Sequence, residues 1–155
     1  MNLKKITVYL DEYNAPYIET EETSAYVNES SMHDSPLMVF DMLKQLKFDR
    51  IAKECVNMFL FDSANHLLSF TEISSGSIDR ALLSKREIAQ TALLGGATSV
   101  ILSHNHPSGE CSPSDFDIVG TKNVKEALDF VGIKLLDHII IGKNNYFSMR
   151  ENEII

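Results

Sequence analysis

Apolar and polar positions along the chain divide it into short alternating elements. Cys55–Phe61 and Leu67–Ile73 are apolar runs of strand length, and the polar turn Asp62–His66 between them predicts a hairpin. Thr98–Ser103 is a β-branched, apolar run; Ile133–Ile141 and Tyr146–Met149 read as closing strands and Ile6–Leu10 as a short leading one. Three stretches carry the helical period instead. Ser35 and Pro36 cap a helix reaching about Phe48, with Leu37, Phe40, Leu43 and Leu46 or Lys47 on its packing face. Ser84 opens a second, running to Leu94, with Glu87 completing a capping box, Ile88 with Ala92 and Ala89 with Leu93 facing inward, and Gly95-Gly96 as its stop. Ser112 and Pro113 open a third, which runs through Val124, Leu128 and Val131 to Gly132. Helices alternating with strands predict an α/β fold, a three-layer sandwich.

The first 35 residues do not share this pattern. Seven acidic residues and no Lys or Arg lie between Asp11 and Asp34, with few apolar anchors, which predicts an irregular acidic strap. Such a strap could cover a cleft, although a solvated connection is the plainer reading. The expected organisation is therefore residues 1–35 as strand and strap, and 36–155 as the working domain. At 155 residues and 44% hydrophobic, the chain suffices for one core. It has no apolar run of membrane-spanning length, and Met1–Ile6 does not resemble a signal peptide, so a cytoplasmic protein without a membrane partner is expected. Two distant cysteines, Cys55 and Cys111, indicate neither a disulfide framework nor a thiolate metal site. The net charge is -8 with basic residues scattered, which disfavours direct nucleic-acid binding; Lys122 and Lys125 make at most a weak local patch.

The chemistry concentrates in residues 103–117. His104 and His106 are two apart at the carboxyl end of an expected strand, so extended backbone puts both imidazoles on one side. Ligands of open α/β sheets gather at that end. Pro107, Ser108 and Gly109 turn the chain, and in the first turns of the following helix Ser114 and Asp117 stand three apart on one face. Two imidazoles and a carboxylate leave a fourth tetrahedral position open, the pattern of catalytic zinc (Zn2+). Magnesium prefers an all-oxygen shell; iron and manganese stay open as occupants.

His-x-His, seven residues, Ser, two residues and Asp is the spacing of His104, His106, Ser114 and Asp117, and in this the chain resembles the JAMM or MPN-domain metalloproteases. The wording around His104–Gly109, Pro113-Ser114 and Leu136–Gly142 is similar to the bacterial RadC-like proteins, historically labelled DNA repair proteins, over about residues 36–149. The resemblance implies a mixed sheet of the deaminase-like kind and a zinc-dependent hydrolase with His104, His106 and Asp117 as metal ligands. It further implies Ser114 holding the water or the oxyanion, and an upstream Glu as general base. Longer RadC-like proteins carry a DNA-binding helical region ahead of this domain; nothing like it is visible in residues 1–50, which weakens a DNA role. Cys111 stands where another residue, commonly proline, is usual in the family, without disturbing the ligand spacing.

Glu54, directly before the first core strand, is the expected base; Glu72, Glu87 and Glu110 are weaker alternatives, Glu87 being explained as a helix cap. His33 and His66 are expected to face solvent. His138, inside a buried-looking strand, is expected to make a structural hydrogen bond, with support of the metal ligands as its less ordinary use. Three functions stay open: a metallopeptidase or isopeptidase acting on a peptide or protein, a non-catalytic interaction module on the same fold, and a metal-dependent nuclease. The acidic charge argues against the last.

Overall fold

Strands β3 (Cys55–Phe61) and β5 (Ser99–Asn105) are buried along their whole length, and they form the centre of the molecule. The computed structural model describes residues 1–27, 35–76 and 83–155. A strand covered on both faces needs apolar side chains pointing both ways, which explains the near-continuous runs. Met58 and Leu60 of β3 enter one core; Phe59 and Phe61 enter another on the opposite side of the sheet.

Seven strands make one mixed sheet: β1 (Asn2–Leu10), β2 (Pro16–Tyr26), β3, β4 (Leu67–Ser75), β5, β6 (Lys134–Ile141) and β7 (Tyr146–Ser148), in the order β2-β1-β4-β3-β5-β6-β7. β3 is antiparallel to both β4 and β5, while β5 and β6 run parallel and are joined through α3 (Asp115–Phe130). Helix α1 (Pro36–Gln45) covers one face, with Met38, Val39, Met42 and Leu43 against Phe59, Ile101 and Ile139. Helices α2 (Lys85–Leu94) and α3 cover the other, with Ile88, Ala92, Val124 and Leu128 against Met58, Leu60 and Leu102. The fold is thus the expected three-layer α/β sandwich. No helix among the described residues is long and apolar enough to cross a membrane.

Several local expectations are corrected. The acidic stretch is not an irregular strap throughout: Pro16–Tyr26 is strand β2, paired antiparallel with a leading strand that begins at Asn2 rather than Ile6. As the sheet's edge, β2 needs little apolar surface, and its Glu and Thr residues suit an edge that must not recruit further strands. The rest of the expected strap, with His33, includes residues 28–34, which lie outside the described residues. Helix α1 buries Met38, Val39 and Met42 and leaves Leu37 half exposed, because a helix that is apolar nearly all round does not announce its inner face. It stops at Gln45; Lys47 then turns left-handed (φ 60°) into a 3-10 turn, Phe48–Arg50. Helix α2 matches its expected bounds, with the Ser84 hydroxyl accepting from Glu87 N, but Leu93 on its expected inner face is exposed. Helix α3 begins at Asp115 rather than Pro113, and Ser114, not Ser112, is its cap.

Candidate metal centre

The register of the sheet carries His104 to the site. It pairs with Val56 on β3 and with Ile140 on β6, so it stands in the sheet itself and is buried. His106 follows one residue past the strand, its backbone N–H donating to the Ile141 carbonyl at 3.0 Å. The chain then turns through Gly109 (φ 87°), whose conformation suits glycine, and returns to α3. There a capping box forms: the Ser114 hydroxyl accepts from Asp117 N at 3.2 Å, while Asp117 Oδ2 accepts from Ser114 N and from the Ser114 hydroxyl, each at 2.7 Å. The box fixes the Asp117 carboxylate with Oδ1 toward His104 and Oδ2 toward His106.

Ligand atoms of three residues consequently converge. His104 Nε2 lies 2.9 Å from His106 Nε2 and 3.3 Å from Asp117 Oδ1, and His106 Nε2 lies 3.6 Å from Asp117 Oδ2. Among the described residues this is the group able to hold a metal ion. His106 Nδ1 is 2.9 Å from the Glu110 carbonyl, which can only accept, so that nitrogen carries the proton and Nε2 offers a lone pair. Lone pairs and a carboxylate facing one point repel unless positive charge lies among them. The same bias appears in the protonation equilibria. Burial alone would raise the pKa of Asp117, but the His104 and His106 imidazoles facing it and the Ser114 hydroxyl hold it far below the usual carboxylate range. His106 is raised, by its bond to Asp117 first, against burial, with smaller help from the Asp117 charge, the Glu110 carbonyl and the charge of Glu54.

Glu54 sits where the hairpin enters the sheet, half buried, its carbonyl accepting from Gly76 N at 2.8 Å. The segment that carries it is held by a residue absent from the expected set. The buried Asn105 side chain accepts from Cys55 N at 2.8 Å and donates to the carbonyls of Ile51 at 3.3 Å and Lys53 at 3.0 Å. The residue between the two histidines therefore clamps the backbone on either side of Glu54. An Asn105→Ala chain is expected to lose these bonds and about 2–4 kcal/mol of stability, since it strands Cys55 N–H in the interior; a denaturant melt measures the loss, and a change below about 0.5 kcal/mol would exclude the clamp.

The other expectations divide. His66 is exposed in the hairpin turn, beside Asp62. Glu72 is exposed on β4, Glu87 is exposed in the first turn of α2 and gives its backbone N–H to the capping Ser84 hydroxyl, and Glu110 serves the site through its carbonyl. Ser114 does not present a free hydroxyl hydrogen to an oxyanion, because Asp117 Oδ2 takes it. His138 is fully buried and lies nearer the site than expected: Nε2 is 2.8 Å from His104 Nδ1, and Nδ1 is 2.5 Å from the Thr121 hydroxyl. Burial, with the neighbouring His104, pushes its pKa well below the ordinary imidazole value. Thr121 escaped the sequence reading, although it falls four residues after Asp117 on the same helical face.

These features define a mixed α/β domain with a His-His-Asp metal-type centre at the end of a central strand. A RadC-like JAB domain model matches residues 7–154, and the chain belongs to that family. It is 38% identical over 112 residues to a UPF0758 protein of Actinobacillus pleuropneumoniae serotype 5b, covering 72% of this chain and 51% of the relative. A UPF0758 protein of Clostridium perfringens is 37% identical over 131 residues, 84% of this chain and 56% of the relative; one of Streptococcus sanguinis is 41% identical over 107 residues, 69% and 47%. The chain thus spans about half the length of the curated relatives it matches.

Proposed function

We propose that the domain is a zinc-dependent hydrolase of peptide or isopeptide bonds, with His104, His106 and Asp117 as ligands and Glu54 as general base. The observation that carries this reading is the convergence of two imidazoles and one carboxylate; three protein ligands would leave the fourth position of a tetrahedral ion to solvent. A tetrahedral ion with bonds of about 2.0–2.1 Å needs ligand atoms roughly 3.3 Å apart; the two Nε2 atoms are 2.9 Å apart, and the Asp117 carboxylate meets His104 at 3.3 Å through Oδ1 and His106 at 3.6 Å through Oδ2. Two nitrogens and one oxygen suit zinc better than magnesium.

When bound, the ion supplies Lewis acidity, polarising a substrate carbonyl and making water a stronger acid. Glu54 accepts the proton of the attacking water and returns it to the leaving amine. Ser114 keeps the Asp117 carboxylate oriented, and the His106–Glu110 bond keeps that imidazole turned inward. A net charge of -8 speaks for a peptide or protein partner over a phosphate backbone. Cleavage of a panel of peptides and ubiquitin-type isopeptides is expected from the zinc-loaded chain, to vanish with chelator and to return with zinc. Cleavage unaffected by chelation would remove the proposed chemistry.

A further inference from the structure

The geometry points to Thr121 and His138 as positioning residues that fix which nitrogen of His104 faces the ion. This rests on the metal-site reading above. The hydrogens can be followed from one end. A backbone carbonyl only accepts, so the Thr121 hydroxyl gives its single hydrogen to the Asp117 carbonyl, 2.5 Å away. Its oxygen is left to accept, and the atom facing it at 2.5 Å is His138 Nδ1, which must therefore carry a proton. Inside the core, among the described residues, the His138 ring meets only the Thr121 hydroxyl and the His104 imidazole, with no carboxylate against it to balance a charge, so it is the neutral form, and a neutral imidazole protonated on Nδ1 has a bare Nε2. That nitrogen lies 2.8 Å from His104 Nδ1, which must then be the donor. With Nδ1 protonated, His104 has its lone pair on Nε2, the nitrogen that meets His106 and Asp117.

Run backwards, the relay fails. A proton on His138 Nε2 would make His104 Nδ1 the acceptor, place the remaining proton on His104 Nε2 and close that position to a metal. Thr121, His138 and His104 are all buried, so water is not at hand to repair a broken link. His138 is anchored on its backbone too: its N–H donates to Asp137 Oδ1 at 2.7 Å and its carbonyl accepts from Met149 N at 3.1 Å. Asp137 in turn accepts from the Ser148 hydroxyl at 2.5 Å and from Arg150 N at 2.9 Å. The carbonyl and the carboxylate of Asp117 thus serve the same centre by different routes, one through the interior and one directly.

The test uses the full chain and two readouts. Nitrogen-15 histidine spectra of the metal-free protein report the His104 tautomer, and zinc titration reports affinity. The unaltered chain is expected to show His104 protonated on Nδ1. Thr121→Val, which keeps the shape and removes the hydroxyl, is expected to mix the tautomers and raise the zinc Kd about 10–100-fold, the usual effect of losing a partner behind a ligand; Thr121→Ser should restore both. Should the valine variant not fold, His138→Gln, which retains an acceptor for His104, and His138→Leu, which does not, give the same contrast. Identical tautomer spectra and zinc affinities in Thr121→Val and the unaltered chain would overturn the inference. A chain that binds no zinc, yet whose His104 tautomer shifts in Thr121→Val, would refute the metal reading and leave the relay standing.

Discussion

A His104→Ala chain is expected to lose zinc binding, with affinity falling by roughly 10²–10⁴-fold. The magnitude follows from removing one of three protein ligands when the whole site is worth on the order of 10–16 kcal/mol, so that about a third of that energy is lost. His104 is the most buried of the three and sits in the sheet, so its replacement by Ala leaves a gap in the interior on that side of the site. The substitution also leaves the bare Nε2 of His138 without its donor, at a further cost of about 1–3 kcal/mol to the fold. A ligand that binds only the folded state raises its stability. Zinc should therefore raise the melting temperature of the unaltered chain and leave His104→Ala unmoved; an equal rise in both would place the ion elsewhere.

Glu54→Gln is expected to do the opposite, keeping zinc and losing turnover by about 10²–10⁴-fold, the ordinary contribution of a general base. Gln is nearly isosteric with Glu and makes hydrogen bonds, so the hairpin entry held by Asn105 and by the Glu54 carbonyl is preserved. What disappears is the basicity. Measured kcat should fall while the zinc stoichiometry and the melting temperature stay unchanged. Full turnover in this variant would transfer the role of base to another group.

The two substitutions separate parts of the site that the sequence conveyed unequally. His104, His106 and Asp117 were legible because their geometry is local: a strand end, a turn and a helix start fix all three within a short stretch of chain. The core strands were legible for a related reason. Burial on both faces wrote continuous apolar runs into β3 and β5, and their bounds follow closely. β2 was not, because an edge strand has a partner on one side only and its Glu-rich composition resembles that of a loop. His138, Thr121 and Asn105 depend on contacts between elements far apart in sequence, which no window of residues contains. A histidine in a strand rich in Leu and Ile did signal that a partner must exist; which partner depended on the register of β6 against β5. Ser114 shows the reverse: the residue was found by its spacing and expected to hold the water or the oxyanion, but with the helix beginning two residues later than expected it is the cap, its hydroxyl hydrogen on Asp117 Oδ2.

The most direct test of the whole account is a stoichiometric zinc titration of the unaltered chain, with His104→Ala and Asp117→Ala beside it. The account predicts one tightly held ion per chain, lost in both variants. Absence of a stoichiometric site in the unaltered chain, or a site that survives both substitutions, would contradict it.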